Sequence, residues 1–343
     1  MHTRDMRTRT PARKTISVLA AGALALGGLT AVAAPAQAAP AFTTLKLANE
    51  VQLSTSGCTQ QSTNTQVPGD KTLSDTGSAS LQASGSESAA PNMADPTSIT
   101  ANTSLSSTAR SQSKNGRPLS LKLDVRATAS AHQLLPGNTC KVSGGSMAQL
   151  SFAFVVTQPT WITLNAAKQG GTLGQFMMSD GASSIGAIHV DLNFKTTSST
   201  SWLLDPGNYE GVLMLGVQLQ DQQTSREVKG NGSYTLSFAA AGSATAKPSG
   251  KALGYTSLGS ARSCSTNTLS VGVTKSRTKF TRIAKVSWSV NGKTVKTLKG
   301  KSLKRGTKVK LRLASAKPAS VTTTVKLKSG KTLTARASYR ACS

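Results

Sequence analysis

Histidine is almost missing from this chain of 343 residues, which has three, and cysteine is scarce, at four. Zinc clusters of Cys and His ligands gather their cysteines in close pairs such as Cys-x-x-Cys, and no such pair occurs here. Acidic side chains number 13 against 40 Lys and Arg, which excludes a calcium-binding repeat built on carboxylates. Aromatic residues make up 4% and charged residues 15%. A coiled coil is excluded too, because those sequences are about half Ala, Glu, Lys, Leu and Arg in heptads. There is no Gly-x-Gly-x-x-Gly after a strand, no P-loop and no His-Glu-x-x-His. No Gly-x-Ser-x-Gly elbow singles out a nucleophilic serine. The sequence therefore implies no metal ion and no cofactor.

Long apolar runs are missing as well, except at the N-terminus. Residues 1–38 combine a basic segment (Arg4, Arg7, Arg9, Arg13, Lys14) with an Ala/Leu/Gly-rich stretch from Ile16 to about Ala34. Ala36-Gln37-Ala38 follows as a small-x-small cleavage pattern, so the segment reads as a cleaved secretory signal peptide. A membrane anchor is the competing reading, since the stretch is nearly long enough to cross ~30 Å of hydrocarbon; its many Gly and Ala residues and the cleavage motif argue against it. No paired arginines mark the twin-arginine route, and no Cys at the cleavage point invites a lipid. The product is expected to be secreted, extracellular or cell-wall associated, with no transmembrane anchor after signal cleavage.

The four cysteines, Cys58, Cys140, Cys264 and Cys342, form an even set with no Cys-x-x-Cys, which in an exported chain favours disulfides. Pairing nearest neighbours in sequence, 58–140 and 264–342, closes one loop in each half and leaves the junction near 245 uncrossed.

Acid is also missing from one end of the chain. Residues 39–245 carry 12 basic and 12 acidic side chains, whereas 246–343 carry 23 basic and none acidic, the last carboxylate side chain being Glu227. Between the halves, 241–250 is a run of small residues with Pro248 and Gly250, suited to a linker. The expected organisation is a neutral Ser/Thr-rich β-sandwich over 39–240, a linker over 241–250 and a strongly basic β-sandwich over 251–343.

What is present is period-two alternation. Leu119, Leu121, Leu123 and Val125 alternate with Ser120, Lys122 and Asp124. Ala148, Leu150, Phe152, Phe154 and Val156 repeat the pattern up to Gln158-Pro159, and Trp161 to Leu164 follows as another strand. Ile188, Val190, Leu192 and Phe194 form a further one. Tyr209 to Leu219 is apolar on both faces, as a central strand would be, and Tyr234, Leu236 and Phe238 close the set. No segment shows a 3.6-residue stripe, so an all-β sandwich of jelly-roll or Ig-like topology is expected. Residues 54–118 are polar, with sparse apolar positions (Val67, Leu73, Leu81, Ile99, Leu105), and are expected as short edge strands joined by long loops.

In the second half Leu269, Val271 and Val273 alternate, then Val286, Trp288 and Val290. Asn291-Gly292 is a strong hairpin signal, answered by Lys293–Leu298. Val309, Leu311 and Leu313 come next; then Val321 to Leu327 runs into Ser329-Gly330, and Leu333 to Tyr339 returns. About seven strands with one internal Trp resemble an Ig-like sandwich, although the two cysteines lie near its ends rather than inside it. Such a resemblance implies architecture, not binding. The Phe152–Leu164 stretch and the later Leu204-Asp205-Pro206-Gly207-Asn208-Tyr209 resemble secreted β-sandwich accessory modules, with Pro206 and Gly207 placed for a type II turn. In its Ala/Thr/Ser-heavy style the whole chain resembles secreted multi-domain β-sandwich surface proteins of actinobacteria with a C-terminal Ig-like domain.

Candidates for catalysis are few. His189 and Asp191 lie two apart on one strand, His132 stands alone, and Asp205 and Glu210 flank the Pro-Gly turn, as a carboxylate pair for glycoside hydrolysis would. Exposed polar residues and turn formers account for all of them. The cationic set is different. Lys308, Lys310 and Arg312 project opposite Val309, Leu311 and Leu313; Lys326 and Lys328 do so in the next strand; Lys293, Lys296, Lys299, Lys301, Lys304 and Arg305 crowd the segment before. A solvated lysine surface would serve solubility and block edge pairing, yet soluble surfaces normally mix signs. The expected partner is an anionic cell-envelope polymer or acidic polysaccharide. Extracellular nucleic acid is possible but only non-specifically, for lack of aromatic platforms. Two readings of function follow: a secreted, non-enzymatic binding or structural surface protein held by its cationic domain, or a secreted polysaccharide hydrolase with a catalytic N-terminal sandwich and a basic anchor.

Overall fold

The computed structural model describes residues 41–135, 139–180, 190–191 and 197–343. The expected signal peptide and most of the expected strand Ile188–Phe194, His189 included, lie outside them. The described chain is almost entirely antiparallel β-structure, as the alternation demands.

Before residue 241 the strands are β1 (Phe42–Ser56), β2 (Thr59–Gln66), β3 (Lys71–Thr72), β4 (Gly77–Ala90), β5 (Ile99–Lys114), β6 (Arg117–Gln133) and β7 (Lys141–Val156). They continue with β8 (Thr160–Gly170), β9 (Leu173–Ser179), β10 (Val190–Asp191), β11 (Thr197–Leu204), β12 (Gly207–Gln222) and β13 (Arg226–Ala240). Two sheets result. One has the order β10-β9-β12-β7-β1-β3 and the other β11-β8-β13-β6-β5-β4-β2. Their inward side chains merge into one core, which defines a sandwich. β12 is central, between β9 and β7, as its two-faced apolar sequence requires.

Aromatic side chains gather at one end of this core. Phe154 meets Phe238 edge-on at 4.9 Å and stacks on Tyr209 at 5.7 Å. Away from that cluster small side chains share the core with Leu, Ile and Val. Ala101, Thr103, Leu105, Ser107, Ala109 and Ser111 of β5 are all buried. Two of these hydroxyls find polar partners: Ser107 Oγ donates to Asn49 Oδ1 at 2.6 Å, and Ser111 Oγ to the Ser74 carbonyl at 2.6 Å.

That arrangement corrects the expectation for 54–118. The segment forms full-length strands, and β4 and β5 lie inside their sheet, with β2 as the edge. Its inward positions are mostly Ala, Ser, Thr and Gly, with Leu81, Ile99 and Leu105 spaced among them; they alternate with polar neighbours as regularly as Leu and Val would but carry little apolar signal. The turn at Pro206-Gly207 is corrected too. Gly207 has no positive φ and opens β12 directly. A type II turn would reverse the chain within one sheet, whereas Asp205-Pro206 carries it from β11 to β12, which belong to opposite sheets.

After residue 250 seven strands follow: β14 (Thr256–Leu258), β15 (Thr268–Val273), β16 (Ile283–Val290), β17 (Lys293–Lys299), β18 (Lys308–Arg312), β19 (Ala319–Leu327) and β20 (Thr332–Tyr339). They form sheets of order β14-β15-β18 and β17-β16-β19-β20. The first, second and fifth strands face the remaining four, an Ig-like sandwich around Leu269, Val271, Leu311, Val286, Trp288, Val321, Val325 and Tyr339. Asn291 and Gly292 both take positive φ, 48° and 83°, which suits a two-residue hairpin between β16 and β17.

The expected linker is hydrogen-bonded along its length. Ala241 N–H donates to the Pro159 carbonyl, Gly242 to Ala341, Thr245 to Ser338 and Ser249 to Arg336. Its residues are small enough to lie against the edge of β20, so low apolarity here marks close backbone pairing rather than slack. Each half holds one disulfide, Cys58–Cys140 and Cys264–Cys342, with Cα atoms 5.5 and 5.3 Å apart.

Candidate functional site: a cationic sheet face

In an antiparallel sheet the register decides which outward side chains stand side by side. Lys285 of β16 is directly opposite Lys299 of β17 on one side and Lys326 of β19 on the other. Three ammonium groups thus form a row across three strands, at the spacing of ~4.5–5.5 Å between Cβ atoms that cross-strand neighbours have. All three are exposed. The next rows of the same face are hydroxyls: Thr297, Ser287, Thr324 and Thr334, then Thr294, Ser289 and Thr322 with Arg336. Like charges in direct register weaken a sheet, and no acidic residue occurs anywhere in 246–343 to relieve them.

The other cations expected from the sequence are all exposed, but they do not share one patch. Lys308, Lys310 and Arg312 lie on β18 opposite Gly272, Ser270 and Thr268 of β15. Because the inward faces of both sheets share one core, these three point to the opposite side of the sandwich from Lys285, Lys299 and Lys326. Lys293 and Lys296 line the edge strand β17, where charge blocks further pairing. Lys301 sits in a short 3-10 turn, Gly300–Ser302, Lys304 and Arg305 in the connection to β18, and Lys328 just past β19. Sequence reasoning misses Lys285, because an isolated Lys between Ala284 and Val286 gains meaning only from its register with two other strands.

One cation of this half is buried. Arg262, 3% exposed, has no carboxylate within the acid-free half. Instead its Nη1 donates to the Ala314 carbonyl at 2.6 Å and its Nη2 to Ser315 and Lys317 at 2.9 and 3.2 Å. Burial pulls its pKa down from the ordinary arginine value. Burial also pushes the Tyr339 hydroxyl up to about 12, where it donates to the Gly259 carbonyl at 2.8 Å. Both are structural.

The candidates for catalysis are dispersed. His132 is exposed near the end of β6, opposite Thr100. Asp205 is exposed in the crossover, its carbonyl accepting from Tyr209 Oη at 3.0 Å, and Glu210 accepts from Ser179 Oγ at 3.2 Å on β12. Among the described residues no hydrogen bond joins His132 to a carboxylate.

Fold and site define a class: an all-β chain with two sandwich cores, two disulfides and an acid-free cationic C-terminal sandwich. Among the described residues no helix is long and apolar enough to cross a membrane. No family model and no curated protein matches the chain. Solved structures distantly similar to the chain include two β-rich domains. One is TmCBM61 in complex with β-1,4-galactotriose, at 10% identity and TM-score 0.18 over 30% of this chain and 70% of that one. The other is the adhesin domain of Epf from Streptococcus pyogenes, at 13% identity and TM-score 0.17 over 66% and 76%. Scores this low carry no inference about this chain's ligand.

Proposed function

We propose that the protein is an exported, non-enzymatic binding protein of the cell surface, held on an anionic envelope polymer by the cationic C-terminal sandwich. The observation that carries this reading is the row Lys299–Lys285–Lys326 in direct register, in a half of the chain without a single carboxylate side chain. Repulsion within the row and the net +23 of residues 246–343 are relieved when a polyanion takes the place of the missing acids. The hydroxyl rows beside the lysines offer hydrogen bonds without demanding one sequence of sugars or phosphates, which suits retention rather than selective recognition. In this reading 39–240 and 251–343 are separate domains, residues 1–38 are removed on export, and the chain belongs with the secreted β-sandwich surface proteins it resembles.

The test is retention of the mature chain on purified cell wall, with and without its anionic polymers, across a salt series. Neutralising several cations releases counterions, so affinity should fall steeply between about 50 and 200 mM salt. Replacing Lys285, Lys299 and Lys326 together by Thr should flatten that slope. Retention indifferent to salt, or to removal of the anionic polymers, would sink the reading.

A further inference from the structure

The neutral half holds a local concentration of positive charge that its overall balance conceals. Two adjoining hollows, of about 620 and 810 Å³, open on the outer face of the seven-stranded sheet. They share Ser106, Arg126 and Asn231, so they form one open cleft with Arg126 at its middle. The cleft runs from Gln66 on β2 to Thr197 on β11, the two edges of a sheet about 29 Å wide at ~4.8 Å per strand. Arg126 stands between Ser106 and Asn231 on the neighbouring strands, and Arg110 stands opposite Lys122. Lys122 is paired with Asp124 at 2.7 Å. Among the described residues neither Arg110 nor Arg126 has an ion-pair partner.

We infer that this cleft binds an acidic polysaccharide, its carboxylates on Arg126 and Arg110 and its hydroxyls on the surrounding Ser, Thr, Asn and Gln side chains. Three observations favour that occupant. Two exposed guanidinium groups without partners match planar carboxylates, which an arginine fork grips with two parallel hydrogen bonds. The two arginines are four residues and one strand apart, about 14 Å by strand geometry. Side chains rising from the sheet at that distance meet two different anionic groups, so the occupant repeats its charge. No aromatic side chain lines either hollow. That leaves hydroxyls and amides to hold sugar rings from their edges, and it offers nucleic-acid bases nothing to stack on. The inference is independent of the lysine row, which lies in the other half of the chain.

The experiment is calorimetric titration of the mature protein with an oligogalacturonate long enough to span the cleft, beside an uncharged galactan oligomer of equal length. The oligogalacturonate should bind at least tenfold more tightly. Arg126→Ser combined with Arg110→Ser should weaken it tenfold or more, and Arg126→Lys alone should weaken it several-fold, because the charge stays while the fork is lost. Lys285, Lys299 and Lys326 changed together to Thr should leave this binding intact. Oligogalacturonate binding that survives the arginine changes, or disappears with the lysine changes instead, overturns the cleft while leaving the lysine-based reading standing. Equal binding of the uncharged oligomer, or tighter binding of a single-stranded oligonucleotide that the arginine changes abolish, overturns the proposed occupant.

Discussion

Strands β4 to β7 run 14 to 17 residues and bury Ala, Ser, Thr and Gly over much of their length, whereas β14 to β20 run 3 to 9 residues and bury Leu, Val, Trp and Tyr. The half that holds the long strands, 39–245, carries balanced charge over its whole length; the half that holds the short ones carries only positive charge. Small side chains bury little apolar area each, so the N-terminal sandwich gathers its core over length and close approach of the backbones. The C-terminal sandwich has a conventional core, with Trp288 and Tyr339 fully buried, which can offset repulsion on its outer face. One half is thus sensitive to added volume and the other to added or removed charge. A low-hydropathy stretch and a charge-laden stretch can both be strands when alternation is kept.

The two regions are alike in one respect, and that gives the largest expected effect. Each disulfide closes a loop of similar length, with sequence separations of 82 and 78, so in the chain-entropy model each contributes about 4 kcal/mol. Calorimetry should show Cys58→Ser/Cys140→Ser lowering one melting transition and Cys264→Ser/Cys342→Ser lowering another, by comparable amounts. If either pair of substitutions shifts a single shared transition, the halves are one cooperative unit and the two-domain proposal fails.

Added volume separates them next. A Cβ on Gly216 of β12 would overlap the Ser146 carbonyl oxygen and lie 2.9 Å from Met147 Cα, both backbone. Only a shift of the strands relieves that, so Gly216→Ala should cost about 1–3 kcal/mol. At Gly272 of β15 the nearest atom to a Cβ is the Ser257 Oγ at 2.9 Å, a hydroxyl that can rotate away. Gly272→Ala should cost a small fraction as much in urea denaturation. Equal costs would mean that the long sandwich is not more tightly spaced than the short one.

Much of this architecture was legible from alternation alone. The strands with Leu, Val and Phe inward and the all-β class follow from period two, the Asn291-Gly292 hairpin from its turn residues, and the central β12 from a sequence apolar on both faces. The stretch 54–118 did not read as full strands, because Ala, Ser and Thr inward positions differ little in hydropathy from the outward ones. Asn115-Gly116, with φ of 53° and 66° between β5 and β6, was the local clue that long strands flank it. For the site, composition pointed to the basic half, but which lysines stand together depends on register between strands distant in sequence. The cleft around Arg126 was hidden for the same reason: a balanced charge count says nothing of which face each charge occupies.

The smallest expected effect tests the charge side of the comparison most sharply. Lys285 has a lysine opposite it on each side, so Lys285→Thr removes two like-charge contacts and puts a β-branched residue among the hydroxyls of that face. Stability should rise by a few tenths of a kcal/mol, while retention on anionic polymer should fall. Lys310→Thr is the control, since the cross-strand neighbour of Lys310 is Ser270 and the substitution brings the same strand preference without relieving a facing charge. The excess gain of Lys285→Thr over Lys310→Thr should shrink in high salt, where exposed charges are screened. A gain that persists at high salt comes from strand preference rather than repulsion. A loss of stability would mean that the row is not under strain, and the case for a missing polyanion would lose its physical basis. Opposite signs for stability and retention in the same variant are what a sheet face kept cationic for binding should give.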